Sequence, residues 1–249
     1  MMNPAEFANI AAIEENFWWF RGMRRILFRL LDPIAAQRNF QTVLEAGCGT
    51  GHLSRLLEQR YQWRMVPVDL APEGLDYGKS LGVQRMTQAD VAALPFPDNA
   101  FDATLSMDVI VHFPRGQEHR PFSEFVRVTK PGGLLVIRVS ALDILRSRHS
   151  RFAHERQRFT RSRLLQLAAA HNLRVHRCTY LNSLLSPVAF AKFRLYEPFL
   201  SSPPESGVQP VAPWLDNLLY MPLALEAQWL AAGLNFPLGQ SLILIAGKP

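Results

Sequence analysis

The residues best suited to chemistry in this 249-residue chain begin with the run Val43-Leu44-Glu45-Ala46-Gly47-Cys48-Gly49-Thr50-Gly51. Glycines without a Cβ make a tight turn and let the backbone approach a ligand closely. The spacing is G-x-G-x-G, not the G-x-G-x-x-G that seats a pyrophosphate on a helix N-terminus. Glu45, just before the glycines, would repel a pyrophosphate but suits an ammonium group. Asp69 closes the next β-rich run, 22 residues after Gly47, where a carboxylate can accept hydrogen bonds from both hydroxyls of a ribose. Taken singly, the glycines could be a simple turn and Asp69 a strand-end turn residue. Together they indicate a nucleoside cofactor.

A second group lies further along. His112 stands six residues after Ser106, on the loop that should follow the fourth strand at the rim of a site. If the group to be modified is a hydroxyl, a neutral imidazole there can take its proton, and Asp108 is the nearer alternative. A single histidine at a strand end is otherwise structural or solvent-facing.

At this point the sequence resembles the class I S-adenosylmethionine-dependent methyltransferases, in the broad small-molecule branch called methyltransferase type 11. The likeness covers about Thr42 to Val139. It rests on the glycine run, on Gln88-Ala89-Asp90 with Leu94-Pro95-Phe96-Pro97-Asp98-Asn99-Ala100-Phe101-Asp102, on Leu105-Ser106-Met107-Asp108-Val109, and on Arg127-Val128-Thr129-Lys130-Pro131-Gly132-Gly133. The flanks Phe17-Trp18-Trp19-Phe20-Arg21-Gly22, Thr179 to Asn182 and Pro237 to Leu242 are similar to a subset of that branch, although Met23 stands where relatives often carry arginine. The resemblance implies S-adenosylmethionine as cofactor, with Gly47, Gly49 and Gly51 lining it. It further implies Glu45 near the amino group, Asp69 on the ribose, Leu70 among the cofactor-binding residues, Asp90 with Val91 near the adenine, and Ser106 beside the methionine moiety. For Asp90 a helix cap is the competing role.

Methyl transfer from a sulfonium is an in-line displacement with a good leaving group, so alignment can supply most of the catalysis and a base is optional. The segment after strand four lacks the Asn/Asp-Pro-Pro-aromatic set used on exocyclic base amines. Neither Cys48 nor Cys178 is placed as a nucleophile for RNA pyrimidines, and nucleic acid is therefore disfavoured as a partner. No acid or Cys/His cluster has metal-ligand spacing.

The elements that must position these groups follow from periodicity. Short β-rich runs at Thr42–Glu45, Met65–Asp69, Val83–Met86, Ala103–Ser106, Leu134–Val139, Arg174–Thr179 and Ser241–Ala246 alternate with helical patterns at His52–Arg60, Glu73–Ser80, Glu118–Val128 and Arg161–His171. That alternation predicts an α/β, doubly wound, Rossmann-like seven-stranded sheet with an antiparallel last strand. An amphipathic helix precedes it, carried by Trp19, Met23, Ile26, Leu27 and Leu30. The expectation is one domain over 1–249: a leading helix region (1–40), a cofactor-binding core (41–180), a helical insertion (181–237) and the last strand (238–249). The insertion is broken by Pro187, Pro198, Pro203, Pro204, Pro210 and Pro213 and carries apolar helical patterns at Leu184–Leu195 and Trp214–Ala232. Its apolar helices could be core, a dimer surface, an acceptor groove or a membrane contact; the oligomeric state is left open.

With 48% apolar and 19% charged residues the composition excludes a disordered chain, and the net charge is +6. Seven arginines against one acid between Arg146 and Arg163 account for the whole net charge. That stretch is read either as a solvated face or as recognition of an anionic small-molecule acceptor. Two cysteines and no signal-like or spanning segment make a reducing cytoplasm the expected location. The alternatives to small-acceptor methylation are methylation of a lipid-linked or glycan precursor at a membrane surface, a non-catalytic cofactor-binding subunit, and, more distantly, a nicotinamide-dependent oxidoreductase.

Overall fold

The structure is a computed structural model that describes residues 2–201 and 203–249. Seven strands, β1 (Thr42–Ala46), β2 (Arg64–Asp69), β3 (Thr87–Gln88), β4 (Phe101–Met107), β5 (Thr129–Ser140), β6 (Arg174–Leu181) and β7 (Ser241–Gly247), form one sheet in the order β3-β2-β1-β4-β5-β7-β6. The pairs among β1 to β5 are parallel, and β7 runs antiparallel to both β5 and β6. The strand order reverses next to β1 and β4, so their C-terminal ends open a crevice where such sheets bind ligands.

Period-two alternation sorts the strand residues onto the two faces. Val43, Ala103, Leu105, Leu134, Val136, Ile243 and Ile245 pack on one side, against α2 (Trp18–Ala35) and α9 (Pro213–Ala231). Leu44, Leu135, Ile137, Val139, Leu242 and Leu244 pack on the other, against α5 (His119–Val128) and α7 (Arg161–Ala170). A side chain at Gly22 would collide with Leu223, so the glycine lets α2 and α9 approach closely.

Three elements differ from the sequence reading. The strand expected at Val83–Met86 is instead the two-residue β3 at Thr87–Gln88. Arg85 adopts φ +60°, which no extended strand accommodates, and its Nε donates to the Met65 carbonyl. A helix that the sequence reading lacked, α1 (Pro4–Ile13), begins at Asn3, whose side chain accepts from the Ala5 N–H with Pro4 in the first turn. The expected helix at Leu184–Leu195 is α8 (Ser186–Phe190) continuing into π-helical turns over Ala191–Tyr196.

Candidate functional site

The glycine turn connects β1 to α3 (His52–Tyr61), and Gly47, Gly49 and Gly51 all have positive φ, at +80°, +57° and +71°. Gly47 and Cys48 both donate their N–H to the Val68 carbonyl, at 2.8 and 2.9 Å, hanging the turn on the end of β2. Asp69 then clamps it. One carboxylate oxygen accepts from the Gly49 N–H at 2.8 Å, and the other from the Ala71 N–H at 2.9 Å. The glycines are not equivalent: a Cβ on Gly51 would meet Met86 and Val83, whereas one on Gly49 would meet open space short of Phe7. Gly47 and Gly49 line a cavity of about 1060 Å³, and Gly51 serves the turn behind them.

Acids gather at the floor of that cavity. Glu45 is buried on β1, and Ser54 Oγ donates to it. Burial pushes the Glu45 carboxyl up to about 8, against the lowering effect of the Ser54 bond. Glu14, just past α1, is also buried; Thr50 Oγ1 donates to it at 2.7 Å, and burial pushes it up to about 7. Arg24 donates to the Glu14 and Glu15 carbonyls and faces His52 Nε2 at 3.1 Å. Burial first, and Arg24 second, push that imidazole down to about 4, which leaves a neutral ring able to accept from the guanidinium. Met23 lies buried in the cavity wall, so Arg24 supplies the cation at this end of α2.

Leu70, Asp90 and Val91 line the next wall. Asp90 caps its own turn, accepting from the Ala92 N–H at 2.8 Å. Ser106 does not reach the cavity: it is buried, and its Oγ donates to the Ala46 carbonyl at 3.0 Å, tying β4 to β1. Alternation along the strand turns it inward, and the cavity is met by Met107, Asp108 and Val109.

At the rim, Asp108 has φ +60° and pairs with Arg138 of β5 at 2.6 Å, while the Arg138 guanidinium lies 5.1 Å from the Trp19 ring centre. The buried Asp108 Oδ1 has no partner among the described residues. His112 closes a single 3₁₀ turn, Ile110–His112, and its Nδ1 lies 3.3 Å from the His154 carbonyl. Nδ1 is therefore the protonated nitrogen, which leaves the Nε2 lone pair available. Burial holds the His112 imidazole below the usual histidine range, so it is neutral at pH 7.

Most of the arginine stretch is engaged by the chain itself. Arg158 is buried, donating to the Ala141 carbonyl and pairing with Glu155 at 2.7 Å. Arg161 donates to the Cys178 carbonyl, Arg163 pairs with Glu118, and Arg146 donates to the Glu155 and Arg156 carbonyls. Irregular backbone leaves many carbonyls without ladder partners, and guanidinium, with five donors, satisfies several at once. Arg151 and Arg156 are exposed, and of these two Arg156 lies on the cavity wall.

The roof comes from segments distant in sequence: α1 with Glu6, Phe7 and Ile10, and the insertion with Lys192, Phe193, Tyr196 and Leu200. Glu6 is buried and accepts from Ser206 Oγ at 3.0 Å, joining α1 to the insertion. Only the cap at Asn3-Pro4 hinted at this contribution. Among the described residues no group of three or more His, Cys, Asp or Glu side chains is placed to hold a metal ion.

Residues 44–137 match the family described as "Methyltransferase domain". The 2-methyl-6-phytyl-1,4-hydroquinone methyltransferase of Synechocystis is 35% identical over 101 residues, covering 39% of this chain and 31% of that enzyme. The malonyl-[acyl-carrier protein] O-methyltransferase of Yersinia pestis is 37% identical over 110 residues, covering 43% of this chain and 39% of that enzyme. The chain thus spans less than two fifths of the length of either curated relative. A Haloferax volcanii protein solved in complex with the methyltransferase activator Trm112 superposes with a TM-score of 0.61, covering 98% of both chains at 17% identity, and so shares the fold.

Proposed function

From the class I S-adenosylmethionine-dependent methyltransferase domain that this chain carries, we propose that it transfers a methyl group from S-adenosylmethionine to a small or medium-sized acceptor held under the α1 and insertion roof. The observation that carries this reading is the Asp69 carboxylate, pinned between the Gly49 and Ala71 N–H groups on the cavity floor. An ionised carboxylate has about four acceptor positions; the two backbone donors fix its orientation and leave the others for the two ribose hydroxyls. The surrounding residues fit the cofactor. Gly49 leaves the open space that a backbone-hugging ligand needs, Leu70 and Val91 offer apolar walls for the adenine, and Glu45 and Glu14 offer carboxyls to an ammonium. The cavity of about 1060 Å³ exceeds what one drug-sized ligand fills, ~300–1,000 Å³, leaving room for an acceptor.

When bound, the cofactor supplies an electrophilic methyl on a sulfonium. The chain's own part is alignment and, for a hydroxyl acceptor, removal of a proton. His112 Nε2 takes that proton, with Nδ1–H held by the His154 carbonyl. Asp108, tied to Arg138, is an anchor at the rim and not a free base. Arg156 is the group available to an anionic acceptor, a narrower contribution than the whole Arg146 to Arg163 stretch that charge alone suggested. Relatives named for a hydroquinone and for a malonyl group on acyl-carrier protein support a small-molecule acceptor class.

Titration calorimetry with S-adenosylmethionine tests the assignment. Asp69→Ala removes the loop clamp and the ribose contact, and binding should weaken at least ~10-fold, as loss of a charged hydrogen bond worth ~1.5–3 kcal/mol requires. Unchanged affinity in a folded variant overturns the cofactor site. Tight binding with no methyl transfer across a broad acceptor panel would favour the non-catalytic subunit.

A further inference from the structure

The α2–α9 layer carries a surface that methyl transfer does not use. α9 packs Leu223, Ala227 and Leu230 inward, and its outer side presents Trp214, Leu218, Met221, Leu225 and Trp229. These are large exposed apolar residues, Trp214 at 69% and Leu225 at 64% accessible. No charge interrupts them. The helix holds two acids: Asp216 is paired with Arg21 at 2.9 Å, and Glu226 is fully buried, accepting from the Ser183 N–H. Beside this stripe, α2 contributes Arg21, Arg25 and Arg29 at four-residue spacing, hence along one side of that helix. Arg21 lies over the Tyr220 ring, Arg25 donates to the Tyr220 hydroxyl at 2.9 Å, and Arg29 is exposed. Residues 17 to 31 contain no acid.

We propose that this α2–α9 face docks on an anionic phospholipid bilayer surface. A continuous apolar stripe with tryptophan at both ends, bordered by arginines, matches a helix lying in the interface with its apolar side among the acyl chains and its cations at the headgroups. Among the described residues no helix is long and apolar enough to cross a membrane, so the contact is peripheral. A second copy of the chain is the poorer occupant. A two-fold pairing would bring together two faces rich in arginine with no free carboxylate to meet them, on molecules of net charge +6. A bilayer with anionic headgroups supplies that missing negative charge.

The face also adjoins the cavity. The Trp18 N–H donates to Asp216 Oδ1 at 2.8 Å, and Trp18, Trp19 and Phe20 line the cavity wall. The docked chain would hold its site beside the lipid, where an amphiphilic acceptor resides. The docking itself does not rest on the methyl-transfer reading, because lipid binding is measured with no cofactor present.

The test is co-sedimentation of the full chain with vesicles of phosphatidylcholine alone or mixed with phosphatidylglycerol. The protein should partition into the mixed vesicles and be partly released by salt. Leu218→Asp with Leu225→Asp should lower partitioning at least ~10-fold, and Arg25→Gln with Arg29→Gln about 30-fold into the mixed vesicles only. Brominated lipid should quench the wild-type tryptophan fluorescence, and the conservative Trp214→Phe with Trp229→Phe should remove most of that quenching. Failure to bind mixed vesicles overturns the proposal, as does quenching that survives this replacement. A solution dimer dissociated by the Leu218 and Leu225 replacements would also overturn it, assigning the face to a second copy.

Discussion

Replacing Glu45 by glutamine should make the ligand-free protein more stable, by an amount that grows with pH. In the fold, burial holds the Glu45 carboxyl at about 8, against an ordinary 4.5. A raised folded pKa means that the native state keeps a proton the unfolded chain releases. The stability from this group is complete below pH 4.5 and lost as pH rises toward 8, at about 1.4 kcal/mol per pH unit, or about 5 kcal/mol in all. Glu14, held at about 7, adds a loss of about 3 kcal/mol of the same sign that ends one unit earlier. His52, held at about 4, titrates with the opposite sign, so the difference between the two proteins is the quantity to measure. Glutamine keeps the shape and an acceptor for Ser54 Oγ but cannot ionise. Urea unfolding of both proteins without cofactor at pH 5, 7 and 8 should show the gap widening by about 2.5 kcal/mol from pH 5 to 7 and by about 1 kcal/mol more from pH 7 to 8, where the folded carboxyl itself begins to ionise. The same variant should bind S-adenosylmethionine more weakly, a site residue kept at the expense of stability. A gap that stays constant with pH would refute the reasoning.

Other outcomes are equally definite. His112→Ala should lower turnover on a hydroxyl acceptor by ~100-fold with calorimetric cofactor affinity nearly unchanged; a loss under threefold would leave alignment alone as the mechanism. Arg156→Gln should raise the KM for an anionic acceptor and leave the melting temperature within ~1 °C of wild type, as expected of an exposed side chain. Arg158→Gln, which strands the Ala141 carbonyl and the Glu155 carboxylate, should instead cost ~3 kcal/mol in urea unfolding. Equal effects of the two arginine replacements on stability would contradict their different burial.

The nucleoside-binding half of the site was legible in the sequence because its logic is local. Glycines at 47, 49 and 51 are called for by positive φ within one turn, and Asp69 ends the neighbouring strand, so pattern and spacing carry both. Alternating strand residues and the helical stripe of α2 likewise report which side is buried, since side-chain direction follows the backbone period. What only the tertiary structure decided concerns groups whose partners lie far along the chain. Ser106 satisfies the adjacent strand's carbonyl at Ala46, 60 residues away, instead of facing the cavity. Arginines 158, 161 and 163 are spent on carbonyls and acids of other elements, which a charge count cannot distinguish from a free cationic patch. The roof joins Glu6 to Ser206 across 200 residues. Burial of Glu45 and Glu14, and the inward turn of both α9 acids that leaves its outer face uncharged, exist only once those segments close together. Sequence spacing encodes direction along an element; desolvation and partnership are set by what packs against it.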